Sequence, residues 1–117
     1  MAVKGIRGAT TVEENTEEAL KQATIELLSE IVKENNIEID KISHVIFTTT
    51  KDLNAAFPAK FARLDCGFKE TAMMCFNELD VPEALKMCLR VLIVLNCEDD
   101  FKPSFVYLKG AKNLRLK

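Results

Sequence analysis

Four cations, one carboxylate, one thiol and one phenol are the side chains of this sequence that could do chemistry together. They are Arg7, Lys60, Arg63, Arg90, Glu78, Cys75 and Tyr107. Arginine matches a carboxylate with two parallel hydrogen bonds and keeps its charge. The set therefore suits a small anionic ligand, most simply a carboxylated one. It also suits a reaction that is helped by fixed charges rather than by a covalent step.

Arg90 interrupts an apolar run, Cys88 to Leu95, that has the length and composition of a central strand buried on both faces. Since side chains alternate across a strand, Arg90 shares a face with Leu92. A desolvated guanidinium is costly without a partner. That partner is either a protein acid, such as Glu78 or Asp80, or an anionic ligand, and the residues alone leave both alternatives open.

The other cations lie on two further predicted elements. Arg7 lies between two glycines in a predicted first strand, Val3 to Thr11. Glycine in a strand often marks close approach of a ligand or of another backbone. Lys60 and Arg63 share one face of a predicted short helix, Pro58 to Asp65. Solvated surface positions are the alternative interpretation for all three cations.

Several function classes have no support in the sequence. No phosphate-binding glycine loop, zinc-protease motif or nucleophile elbow occurs, and His44 is the only histidine. The four cysteines form no C-x-x-C pair, which favours reduced thiols in a cytoplasmic protein over a metal site. The net charge of −2 without a basic block argues against nucleic acid, and no apolar stretch is long enough to span a membrane.

The pattern of elements predicts a single α+β domain over residues 1–117. A capping box at Asn15 and Glu18 begins a long amphipathic helix that ends at Asn35. Five strands are predicted over 3–11, 44–50, 70–76, 88–95 and 104–108, with short helices over 38–42, 58–65 and 81–87. We expect a five-stranded mixed sheet with the helices mainly on one face. One long helix cannot cover both faces, so we expect self-association into a closed symmetric ring.

Five segments, taken together and in order, resemble the monofunctional chorismate mutases of the trimeric α/β-barrel class, which differ from the all-helical mutases. The segments are Gly5–Thr11, Asp52–Lys60, Cys75–Val81, Cys88–Val91 and Val106–Leu108. The resemblance implies an isomerase that converts chorismate to prephenate on the shikimate pathway to phenylalanine and tyrosine. It also implies a homotrimer in which the sheets of three subunits pack into a pseudo-barrel, interfacial active sites and no cofactor.

The resemblance also implies roles for single residues. Arg90 matches the cation on the ether oxygen and a carboxylate, and Arg7 matches the contact with carboxylate and hydroxyl groups. Glu78 matches the acceptor for the ring hydroxyl, with Cys75 close by, and can pair with Arg90 when the site is empty. Tyr107 matches an aromatic hydroxyl near a carboxylate.

Further positions match the substrate-binding wall contributed across the interface: Phe57, Ala59, Lys60 and Arg63. The resemblance also implies that the C-terminal region, which in the family is longer and contains proline, helps to cover the site; in this sequence Leu114 and Arg115 occupy that region. Met73 and Met74 stand where smaller residues are expected. Met73 either narrows the pocket or fills the core.

The implied rearrangement is pericyclic: a C–O bond breaks while a C–C bond forms. The ether oxygen gains negative charge, which a fixed cation stabilises more in the transition state than in the ground state. The other cations hold a flexible dianion in its compact reactive shape. Two alternatives stay open, a trimeric deaminase-like enzyme and a trimer that binds a carboxylated metabolite without catalysis.

Overall fold

One mixed sheet of five strands organises the computed structural model, which describes residues 1–114. The strands are β1 (Ala2–Thr11), β2 (Ile42–Thr49), β3 (Ala72–Asn77), β4 (Cys88–Cys97) and β5 (Val106–Tyr107). Their order is β3-β2-β4-β1-β5, so β4 is central, as predicted from its apolar run. β4 runs antiparallel to β1 and β2, whereas the edge strands β3 and β5 pair in parallel.

Two α-helices, α1 (Glu17–Asn35) and α2 (Pro58–Asp65), pack on one face of the sheet in the described part of the chain. α1 buries an apolar stripe that includes Leu20, Leu27 and Ile31. α2 has the predicted bounds, because proline is favoured in the first turn of a helix. The α+β architecture with helices on one face is therefore confirmed. No helix among residues 1–114 is long and apolar enough to cross a membrane.

The predicted cap of the long helix is wrong by one residue. The side chain of Thr16 accepts the Ala19 N–H at 3.1 Å and begins α1. The Oδ1 atom of Asn15 instead accepts the N–H groups of Asn54 and Ala55, each at 2.9 Å. Asn15 therefore ties the loop after β2 to the start of α1.

The predicted short helix over 81–87 is also wrong. This segment forms turns, and Glu83 and Met87 have left-handed φ values of 67° and 50°. The Met87 N–H is donated to the carboxylate of Asp52, a residue distant in sequence. That contact ends the turn and leads the chain directly into β4.

The two faces of β4 differ in burial. Leu89, Val91, Ile93 and Leu95 are buried under the helices, and Met73 also packs against this core. Arg90 and Leu92 lie on the opposite face, where the helices do not reach. The expectation that β4 is buried on both faces is thus not met within one chain. We call this second side the open face, and its larger apolar side chains include Val3, Ile46, Met74, Phe76, Leu92 and Val94.

Candidate functional site

Arg90 and Glu78 form an ion pair at the open face. The Nε atom of Arg90 lies 3.6 Å from Oε2 of Glu78, and their side chains are 45% and 24% exposed. Glu78 follows β3 directly, and its N–H donates to the Thr49 carbonyl at 2.9 Å. A protein acid therefore pairs with Arg90, which is one of the two alternatives that the sequence left open. The pair holds the guanidinium in place while nearly half of the Arg90 side chain stays accessible.

Thr48 is a site residue that the sequence reasoning missed. It is the register partner of Arg90 between β2 and β4, and its hydroxyl donates to Oε2 of Glu78. The carboxylate is thus held by the sheet as well as by the arginine. Side-chain alternation puts Thr48 and Phe47 on opposite faces of β2. Only the pairing with β4 shows that Thr48, and not Phe47, shares a face with Arg90.

A second cation reaches the same face from β1. Arg7 is the register partner of Leu92, and its guanidinium carbon lies 5.5 Å from the centre of the Phe105 ring. A cavity of about 120 Å³ at this point is lined in part by Arg7, Arg90, Tyr107 and Leu114. These four predicted site residues are therefore brought together by β1, β4, β5 and the segment that follows β5.

The glycine after Arg7 serves close packing. A Cβ atom on Gly8 would lie 2.5 Å from Cδ1 of Ile31 in α1 and 3.2 Å from the Val106 carbonyl. Of the two predicted explanations for glycine here, approach of a backbone applies to Gly8. It lets β5 and α1 close on β1, which sets Tyr107 beside Arg7.

Other predicted residues line a separate groove where β3 meets the start of α2. This groove, of about 450 Å³, is lined in part by Phe57, Lys60 and Cys75. Cys75 pairs in register with the buried Phe47, so it faces the helices, whereas Glu78 turns to the open face. Within one chain, Cys75 and Glu78 thus lie on opposite sides of the sheet.

Lys60 pairs with an acid of α1, and the remaining predicted wall residues in the described part of the chain do not line this groove. The Nζ atom of Lys60 lies 3.0 Å from Oε2 of Glu17. Lys60 and Arg63, one turn apart, both carry their charges at the surface of α2. Ala59 is a half-buried residue of the same helix. Met74 is 61% exposed on the open face. Arg115 lies outside the described residues.

Burial raises the pKa of three of the four thiols. It raises the pKa of Cys75, an effect that a hydrogen bond with the Ala59 backbone partly offsets. Burial also raises the pKa of Cys88, against the opposing influence of Arg90, and the pKa of Cys66. Since the thiolate is the nucleophilic form, this arrangement does not favour a thiol nucleophile at neutral pH.

The amino-acid sequence matches the model of a known protein family over nearly its whole length. The family model named chorismate mutase type I matches residues 3–117. The chain belongs to this family. The resemblance drawn from the sequence is therefore confirmed, and the activity is that of a chorismate mutase, an isomerase.

Individual members of the chorismate mutase family are similar over most of the chain. The chorismate mutase AroH of Bacillus subtilis (strain 168) is 40% identical over 98 residues, which are 84% of this chain and 77% of the relative. AroH of Thermus thermophilus is 43% identical over 115 residues, 97% and 93% of the two chains. A solved chorismate mutase from Clostridium thermocellum has a TM-score of 0.88 at 48% identity, covering 93% of this chain and 97% of its own.

Family membership decides between the interpretations that the residues left open. Because the chain is a chorismate mutase, it is an enzyme rather than a metabolite-binding module. It is also an isomerase rather than a deaminase-like enzyme. The shared α+β fold with the Clostridium thermocellum enzyme agrees with this assignment.

Proposed function

We propose that this chorismate mutase converts chorismate to prephenate by electrostatic stabilisation, with Arg90 as the cation on the breaking ether oxygen. The observation that carries the proposal is the Arg90–Glu78 ion pair beside a cavity that Arg90 lines together with Arg7 and Tyr107. A guanidinium fixed by a carboxylate needs little reorganisation when charge develops beside it. Such preorganisation is the property that stabilises a transition state more than a ground state.

The other residues at the open face bind and orient the substrate. Arg7 takes a substrate carboxylate, and Tyr107 contacts a carboxylate from the neighbouring strand. Glu78 accepts the ring hydroxyl, held in position by Thr48. Holding the flexible dianion in its compact shape lowers the barrier because orientation is achieved before the reaction.

A single chain supplies only part of this site. The cavity at Arg90 holds about 120 Å³, whereas small-molecule sites are usually about 300–1,000 Å³. The missing wall is the groove with Phe57, Lys60 and Cys75, which lies elsewhere on the same chain. We propose that a neighbouring subunit supplies it in a homotrimer whose open faces pack together. The exposed apolar residues Met74 and Phe76 support such packing. A cytoplasmic location belongs to the same proposal.

The direct test is the loss of chorismate absorbance with purified protein, in chelator and without added cofactor. We expect turnover by the wild type and its loss in Arg90→Ala. Arg90→Lys is the charge-conserving control, and it should recover little activity because an ammonium lacks the guanidinium fork. A folded oligomer whose turnover survives Arg90→Ala would contradict the assigned role of Arg90.

Active-site complementation tests the interfacial arrangement. Arg90→Ala and Lys60→Ala subunits are each expected to be poorly active alone. In every mixed trimer, roughly one of the three interfaces combines two intact parts, so mixing should restore activity. Equal activity before and after subunit exchange would contradict sites shared between subunits, and sedimentation of a monomer would contradict the trimer.

A further inference from the structure

The residue that leads into β4 has an unusual backbone conformation. Met87 has φ 50°, a left-handed value that side chains with a Cβ rarely adopt. Its N–H is donated to both carboxylate oxygens of Asp52, each at 3.1 Å, and its carbonyl accepts the Val12 N–H at 2.8 Å. The conformation is thus held by contacts from outside the segment, since nothing in the sequence of 81–87 requires it.

The same carboxylate also organises the first residue of β4. The Thr50 hydroxyl donates to Oδ1 of Asp52 at 2.5 Å and accepts the N–H of Cys88 at 3.0 Å. The Thr50 N–H donates to the Cys88 carbonyl at 3.1 Å. Asp52 and Thr50 therefore fix Met87 and Cys88 together, and Arg90 follows two residues after Cys88 on the same face of the strand.

We infer that Asp52 is a positioning residue for Arg90. Its carboxylate holds Met87 in the left-handed conformation and orients Thr50, and these contacts set the position from which β4 begins. The inference rests on the proposed role of Arg90. Small displacements matter at such a site, because electrostatic stabilisation depends on where the cation lies relative to the reacting oxygen.

The first measurement is the kinetics of Asp52→Ala. We expect kcat to fall about tenfold with KM changed much less, since the lost alignment concerns the transition state. Asp52→Asn keeps one acceptor for the Met87 N–H and should lose less. Asp80→Ala is the matched control, because Asp80 is an exposed acid nearby whose partner is Lys51 at 3.0 Å. Wild-type kcat in Asp52→Ala would overturn the inference.

Rescue by glycine separates positioning from general stabilisation. Glycine adopts positive φ without steric cost, so Met87→Gly should make the Asp52 contact dispensable for the backbone. We expect Asp52→Ala combined with Met87→Gly to have a kcat close to that of Met87→Gly alone. If Asp52→Ala still lowered kcat tenfold in the Met87→Gly background, this result would contradict the proposal that Asp52 acts by holding the backbone of Met87.

A double-mutant cycle with Arg90→Lys shows whether Asp52 acts through Arg90. Residues that act as a unit are not additive, so Asp52→Ala should cost much less in the Arg90→Lys background than in the wild type. An equal cost in both backgrounds would overturn the inference while leaving the role of Arg90 intact. Wild-type activity in Arg90→Lys would instead contradict the proposed function itself.

Discussion

Thr48 and Arg90 are register partners across β2 and β4, and both contact the same oxygen of Glu78. The carboxylate is therefore fixed from the central strand and from its neighbour at once. Although Glu78 comes after the end of β3, its orientation is set by the sheet. Two strands thus define the geometry of the ion pair that we place at the reacting oxygen.

Substitution of Arg90 by lysine should lower kcat by about 10²–10³, the loss usually seen for one transition-state donor, or about 3–4 kcal/mol. Lysine keeps the charge but cannot hold Glu78 and a substrate oxygen with separate nitrogens of one planar group. Chorismate absorbance measures the rate, and circular dichroism checks that the fold is retained. A rate near that of the wild type would show that the guanidinium is not required.

Removal of the Thr48 hydroxyl should have a smaller effect. Thr48→Val keeps the shape of the side chain but removes one hydrogen bond to Glu78, a loss of about 0.5–1.5 kcal/mol or a few-fold in rate. Steady-state kinetics with Thr71→Val as a control, one residue before β3, measures this contribution. Identical kinetics for the two variants would mean that Thr48 does not orient Glu78.

Stability should fall at alkaline pH because of the buried thiols. Burial raises the folded-state pKa of Cys66, Cys75 and Cys88 above the ordinary value. Their contribution is therefore complete below the unfolded-state pKa of about 8.5 and is lost as pH rises through the higher folded-state values. Urea unfolding at about pH 7 and about pH 10 tests this sign. A Cys66→Ala, Cys75→Ala double variant should lose less stability over that interval than the wild type does.

Gly8→Ala should destabilise the fold by about 1–3 kcal/mol, the usual cost of overpacking a close contact. The added methyl group would meet Ile31 and the Val106 carbonyl. Gly5→Ala is the matched control in the same strand. Its Cβ atom would lie 3.2 Å from the half-buried Leu92 side chain, a milder contact than the 2.5 Å approach to Ile31 at Gly8. Urea unfolding at one protein concentration compares the two variants. Equal stabilities would show that β1 and α1 can separate without cost.

The sequence predicted the elements whose signals are local. Pro58 begins α2 at the expected residue, and the apolar run around Arg90 became the central strand. The helix predicted over 81–87 did not form, because Asp52 takes the Met87 N–H from a distant loop. A pattern read along the chain contains no information about that partner.

Prediction of the site met the same limit. The cost of a desolvated guanidinium predicted that Arg90 needs a partner, but the residue types left open whether that partner is Glu78, Asp80 or an anionic ligand. Thr48 could not be found this way, because its contact with Glu78 depends on the register of β2 against β4. The placement of Cys75 away from Glu78 likewise depends on the pairing of β3 with β2. The catalytic and binding roles of these residues remain predictions.

The pairing of β1 with β4 also determines when the site can exist. Ala2 is the partner of Cys97, so the first strand has its main neighbour only after nearly the whole chain has been made. Pairing between such distant segments is slow, since a long loop must close before any contact is gained. On the ribosome, the nascent chain would therefore carry Arg7 on an unpaired strand until β4 emerges. Catalytic competence should appear late in biosynthesis, together with the completed sheet.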